Sequence, residues 1–167
     1  MIEILVLYVL KRYDCSIYRI SKIIETTFFA LFKPSFGSLN PAIKRLEGMG
    51  CIEVSSSLTE GGKRVKRVSI TSFGEKYFKN CMQTYEFTNP SNFLNDANIL
   101  LFCSNILEGE DLLKFLDNLN LQCKIFINKI NSGLNDSYNP LNDLQKKIVN
   151  EILFQTKKIE GICEKGQ

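Results

Sequence analysis

Lys33-Pro34-Ser35-Phe36-Gly37-Ser38-Leu39-Asn40-Pro41-Ala42-Ile43-Lys44-Arg45-Leu46-Glu47-Gly48-Met49-Gly50 is the stretch whose reading decides the fold. Pro34 and Gly37 punctuate its start, and Ser38 is placed to cap a helix, because its hydroxyl oxygen can accept from the free N–H groups of a first turn. Pro41 then falls in the first turn, where a missing N–H costs little. Leu39, Ile43 and Leu46 recur at helical spacing and predict a buried stripe. Asn40, Lys44 and Arg45 fall on the outer side, and Gly50 marks the C-terminal end. A short helix with an apolar stripe and a polar, basic outer face has the shape, base-edge donors and cations that reading a DNA major groove takes. The same three residues are also what an ordinary solvated helix face carries, so the flanking sequence has to separate the two readings.

Upstream, Ile2, Leu5, Val6, Val9, Leu10 and Tyr13 predict an amphipathic helix over residues 2–13. Asp14-Cys15-Ser16 breaks it, and Ser16 can cap a second helix with Ile17, Ile20, Ile23 and Ile24 on its apolar side. Residues 26–36, rich in Phe, read as a loop over the core. Downstream, Cys51 to Ser55 and Arg64 to Thr71 are β-prone, and Glu60-Gly61-Gly62-Lys63 between them is a turn signal. The two strands make a hairpin carrying Lys63, Arg64, Lys66 and Arg67. Thr71 caps a further helix with Phe73, Tyr77, Phe78, Cys81, Met82 and Tyr85 on its apolar side. Three short helices followed by a basic hairpin are the winged helix-turn-helix arrangement.

Asn89-Pro90-Ser91 marks a boundary, which predicts a winged helix-turn-helix domain over residues 1–88 and a helical domain over residues 89–167. In the second part, Phe93, Leu94, Ala97, Leu100, Leu101 and Ser104 form one helix face. Leu112, Leu113, Leu116, Leu119, Cys123, Ile127 and Ile130 form another, and residues 131–139 read as a polar loop. Leu141, Leu144, Ile148, Ile152, Ile159 and Ile162 form the face of a last long helix. Three long helices with broad apolar stripes and a thin shared core call for a partner surface, and a second copy of the chain supplies one. The fold class is therefore mainly α with a small β-hairpin.

Composition agrees with this division. The 167 residues are 44% hydrophobic and 23% charged, with a net charge of +3, enough apolar material for a real core and too little charge for a disordered chain. Residues 1–88 hold 13 Lys/Arg against 8 Asp/Glu, and residues 89–167 hold 8 against 10. The basic part is the one to expect on a polyanion. Ile4 to Leu10 is too short to span a bilayer and follows Glu3 rather than basic residues, so neither a membrane span nor a signal peptide is expected. The six cysteines are widely separated and the chain has no histidine. A zinc site is not expected, and reduced, buried cysteines in a cytoplasmic protein are the favoured reading over disulfides. There is no Gly-rich phosphate loop or nucleophile motif, so neither catalysis nor a cofactor is expected. The cluster Glu108-Gly109-Glu110-Asp111 reads as a helix start that complements the helix dipole.

The run from Lys33 to Gly50, with Glu60-Gly61-Gly62-Lys63-Arg64 and Ile70-Thr71-Ser72-Phe73-Gly74, resembles the PadR family of transcriptional regulators. The match is specific over residues 2–80 and one of layout beyond. It implies a homodimeric regulator of transcription, most often a repressor, that binds double-stranded DNA at a pseudo-palindromic operator and responds to a small hydrophobic effector. It also implies an effector pocket at the dimer centre, which Tyr8 or Phe154 would line. The family usually has Tyr where this chain has Asn40, and an aromatic pair where it has Arg67 and Val68. The candidate DNA contacts are Tyr18, Lys33, Ser35, Ser38, Asn40, Lys44, Arg45, Lys63, Arg64, Lys66 and Arg67. Ser35 and Ser38 serve equally well as a loop hydroxyl and a cap, and Tyr18 can pack on the first helix or reach the DNA backbone. The alternative is a winged-helix module that binds another protein and no specific DNA. Phe28, Phe29, Phe32 and Phe36 read as core packing before they read as a ligand pocket.

Overall fold

The computed structural model describes residues 1–58 and 64–166, with the side chains at positions 36, 57, 58, 64 and 65 outside the described set. The expected turn at residues 60–63 lies outside it as well. The chain divides into two compact units, Met1–Met82 and Gln83–Gln167.

The first unit runs α1 (Ile2–Leu10), α2 (Ile17–Thr27), α3 (Phe36–Gly48), β1 (Ile52–Leu58), β2 (Arg64–Ile70) and the bulk of α4 (Ser72–Gln83). α1 differs from the amphipathic helix expected over residues 2–13. Every residue from Ile4 to Leu10 is buried, because this stretch has no charged side chain, and no polar group beyond the Tyr8 hydroxyl, with which to make a wet face. The helix also stops three residues early, and Tyr13 lies beyond its end, 52% exposed. In α2 the expected cap is present: Ser16 Oγ accepts from the Arg19 N–H at 3.3 Å. The helix runs on to Thr27, into the segment expected as loop. Of the phenylalanines there, Phe28 is 1% exposed and Phe29 is 84% exposed.

β1 and β2 pair antiparallel, with Ile52 opposite Ile70, Val54 opposite Val68 and Ser56 opposite Lys66. Asp14-Cys15-Ser16 does more than break a helix. Cys15 donates its N–H to the Val68 carbonyl at 3.1 Å and accepts from the Val68 N–H at 2.9 Å, which adds a one-residue third strand to the hairpin root. The helix-turn-helix and the wing are thereby tied by backbone hydrogen bonds. Thr71 caps α4 as expected, accepting from the Gly74 N–H at 3.0 Å while its own hydroxyl donates to the Gly50 carbonyl at 2.7 Å. Phe73 departs from the expected apolar face and is 55% exposed. The fold of this unit is a winged helix.

The second unit is helical: α5 (Phe93–Cys103), α6 (Gly109–Leu134) and α7 (Asp143–Lys165), with α6 packed along α7. α4 stops at Gln83, so Tyr85 sits past its end. Tyr85 donates its hydroxyl to Asp96 Oδ2 at 2.7 Å, and its ring starts a chain of contacts through Phe87 and Phe93 to Phe126. α6 extends to Leu134, into the expected polar loop. α7 starts with a capping box in which Asn142 and Gln145 exchange side-chain-to-backbone hydrogen bonds, each at 2.9 Å. Its buried residues are Thr156, Ile159 and Cys163, whereas Leu144, Ile148 and Ile162 of the expected stripe are 67%, 56% and 54% exposed. The helix has more apolar surface than the rest of the chain covers. All six cysteines are free thiols, and no described helix is long and apolar enough to cross a membrane.

Candidate nucleic-acid interface

α3 starts earlier than its sequence suggests. Ser35 is the N-cap: its Oγ accepts from the Ser38 N–H at 3.2 Å. Ser38 lies inside the first turn, with its hydroxyl donating to the Ser35 carbonyl at 3.0 Å. Two serines three residues apart can each cap a helix, and the earlier one satisfies a free N–H one turn sooner. Pro41 consequently sits inside the helix rather than in its first turn. Its missing N–H leaves the Gly37 carbonyl without the usual partner four residues on.

Leu39, Ala42, Ile43 and Leu46 point inward, at 3% exposure or less. Asn40, Lys44 and Glu47, spaced by four and three, form the exposed side. Arg45 leaves that side: its Nε donates to Glu3 Oε1 of α1 at 2.6 Å, although its side chain stays 55% exposed. Between α3 and the wing lies a hollow of about 280 Å³ lined by Ile17, Asn40, Ile43, Lys44, Glu47, Val54 and Lys66. Asn40, Lys44 and Lys66, expected from separate parts of the sequence, therefore meet around one concavity. Glu47 and Ile17 join them and were not among the candidates. Glu47 was legible from its spacing to Asn40 and Lys44, whereas Ile17 reaches the hollow only through the packing of α2 against α3.

The run of wing cations does not act from one side. Strand alternation sends Lys66 toward the Val68 face of the hairpin and Arg67 to the opposite face, and both are exposed. Burial raises the Cys15 thiol overall, against the opposing pull of the Arg19 charge and, more weakly, of Arg67. Lys63 lies outside the described residues; Arg64 opens β2, with its side chain outside the described set. Tyr18, in the first turn of α2, is 64% exposed rather than packed. Lys33 is exposed just ahead of the Ser35 cap, and after the Lys22 ion pair it helps to hold the Glu25 carboxyl below its usual range.

No family model matches the chain, and no curated protein matches it. Among solved structures, the chain is similar to smu.1604c from Streptococcus mutans UA159, at 20% identity and a TM-score of 0.45 over 98% of this chain and 96% of that one. It is similar to Bacillus subtilis PadR in complex with operator DNA, at 16% identity and a TM-score of 0.46, over the same shares of the two chains. A PadR family transcription regulator from hypervirulent Clostridium difficile R20291 is 26% identical with a TM-score of 0.44, over 55% of this chain and 93% of that one.

Proposed function

We propose that this protein is a PadR-like transcription regulator, a cytoplasmic repressor that binds a pseudo-palindromic operator as a homodimer and is released by a small-molecule effector. The observation that carries the reading is the hollow between α3 and the wing, where Asn40, Lys44 and Lys66 converge on one concave surface. Asn can pair with an adenine edge, Glu47 can accept from a cytosine amino group, and the two lysines neutralise phosphates. Exposed Leu121 and Ile125 on α6, with Leu144, Ile148 and Ile162 on α7, support the dimer, since such residues gain from burial against a second copy. In a symmetric dimer the two α3 helices read half-sites one DNA turn, roughly 34–36 Å, apart.

Fluorescence anisotropy against the DNA upstream of the protein's own coding region tests this. Tight, salt-dependent binding that exceeds binding to random duplex is expected, and Lys44→Ala should weaken it. Binding no tighter than to random duplex, together with a stoichiometric protein partner recovered at low salt, would replace this reading with that of a protein-interaction module.

A further inference from the structure

Asn40, Lys44 and Glu47 reach the hollow between α3 and the wing from the exposed side of α3, and Lys66 reaches it from β2. Among the described residues that line this hollow, Glu47 is the single acidic one. Its place is a poor one for helix stability. Glu47 is the last residue but one of α3, where the free carbonyls and the negative end of the helix dipole favour a cation. It follows Lys44 by three residues, the less favourable order for a pair of opposite charges. Among the described residues no ion pair joins it to Lys44 or Lys66. The guanidinium two residues before it is engaged by Glu3 at 2.6 Å. Neither helix stability nor charge pairing accounts for this carboxylate.

A carboxylate also suits DNA in general badly. Phosphate oxygens, N7 and O6 of guanine, N7 of adenine and O4 of thymine are all acceptors and repel it. In the major groove only the amino groups of cytosine and adenine donate, and adenine sets N7 beside its amino group. Cytosine is the base whose own groove edge offers a donor and no acceptor. We infer that Glu47 is a specificity-determining residue of the DNA site: it makes binding conditional on a cytosine amino group and lowers affinity for every duplex without one at that position. Lys44 and Lys66 attract any duplex, and Glu47 rejects most of them, so that repulsion discriminates alongside attraction. Asn40 lies seven residues and about 10.5 Å earlier along α3, and its neutral amide suits adenine at a separate position. The inference rests on the DNA-binding reading and adds to it the side chain that turns a general attraction into a choice.

Selection of duplexes from a randomised pool by the full chain, followed by anisotropy titration of the selected duplex and of random duplex at one salt concentration, tests it. The wild type should select a half-site with one obligatory cytosine. Glu47→Ala should bind random duplex at least about threefold more tightly and select no base at that position, while the rest of the half-site is kept. Its ratio of selected to random affinity should fall about tenfold, the loss of one base-edge pairing. Glu47→Gln, whose amide can pair with adenine, should move the preference there from cytosine to adenine. Neither variant should lower the midpoint of urea unfolding, because removing a carboxylate from the last turn relieves the helix dipole; a lowered midpoint would mark Glu47 as a structural residue and overturn the inference. A wild type that selects a half-site without cytosine, or variants that keep its preference or gain nothing on random duplex, would overturn the inference and leave the DNA-binding reading standing. A wild type that selects no sequence at all would overturn that reading and the inference with it.

Discussion

Replacing Gly74 by alanine tests how the wing is anchored. Gly74 is buried in the first turn of α4, and a Cβ there would lie 1.9 Å from the Cys51 carbonyl oxygen and 2.9 Å from Ile70 Cγ1. Real Cβ contacts stay beyond 3.0 Å, so α4 and the hairpin root must part by about 1 Å. The same two segments are joined by the Thr71 N–H to the Cys51 carbonyl at 3.0 Å and by the Thr71 hydroxyl to the Gly50 carbonyl at 2.7 Å. Overpacking of this kind costs about 1–3 kcal/mol, and a broken hydrogen bond adds about 1 kcal/mol. Against this, Gly to Ala in a helix gains about 0.5–1 kcal/mol. A net loss of about 2 kcal/mol is expected. Urea unfolding followed by far-ultraviolet circular dichroism should show the midpoint falling by about 1 M, for an m-value of about 2 kcal/mol/M. Gly48→Ala is the control: nothing lies within 4 Å of its Cβ position and its φ is not positive. It should be neutral or stabilising by about 0.5 kcal/mol. A Gly74→Ala midpoint at or above that of the wild type would refute the clash and the anchoring drawn from it.

Further outcomes follow from other contacts. Arg45→Ala should weaken operator binding less than Lys44→Ala, because Glu3 already engages the Arg45 guanidinium; anisotropy titrations showing the reverse order would contradict that division of roles. Lys66→Ala should lower the slope of log affinity against log salt by about 1, and an unchanged slope would remove Lys66 from the phosphate contacts. Asn142→Ala removes one half of the α7 capping box and should cost about 1 kcal/mol in chemical unfolding. Cys123 and Cys163 are fully buried, and burial pushes their thiols up to about 12 and about 11. Since a folded-state thiol pKa above the unfolded value favours the native state only while the thiol stays protonated, stability should decline as pH rises above about 9. Both thiols should resist a disulfide reagent at pH 8 until urea unfolds the chain; equal labelling rates in native and unfolded protein would count against their burial.

The sequence by itself determined what depends on neighbours three or four residues apart. The helix stripes of α2 and α3, the Ser16 and Thr71 caps, the paired strands and the basic hairpin were legible because periodicity and capping are local. Glu47 at the interface and the Asn142–Gln145 box lay within the same reach. Tertiary structure alone decided which of two adjacent phenylalanines is core, since Phe28 and Phe29 are chemically identical and differ only in what faces them. It decided that Cys15 pairs with Val68 and that Arg45 turns to Glu3, contacts that span 53 and 42 positions of the chain. It also supplied the reason for Gly74, which sequence shows as a helix residue and packing shows as the only side chain small enough beside the Cys51 carbonyl. The rule is one of range: hydrogen bonds and apolar periodicity within a turn are written in order along the chain, whereas the partner of an exposed charge or a buried ring is whatever the fold brings beside it.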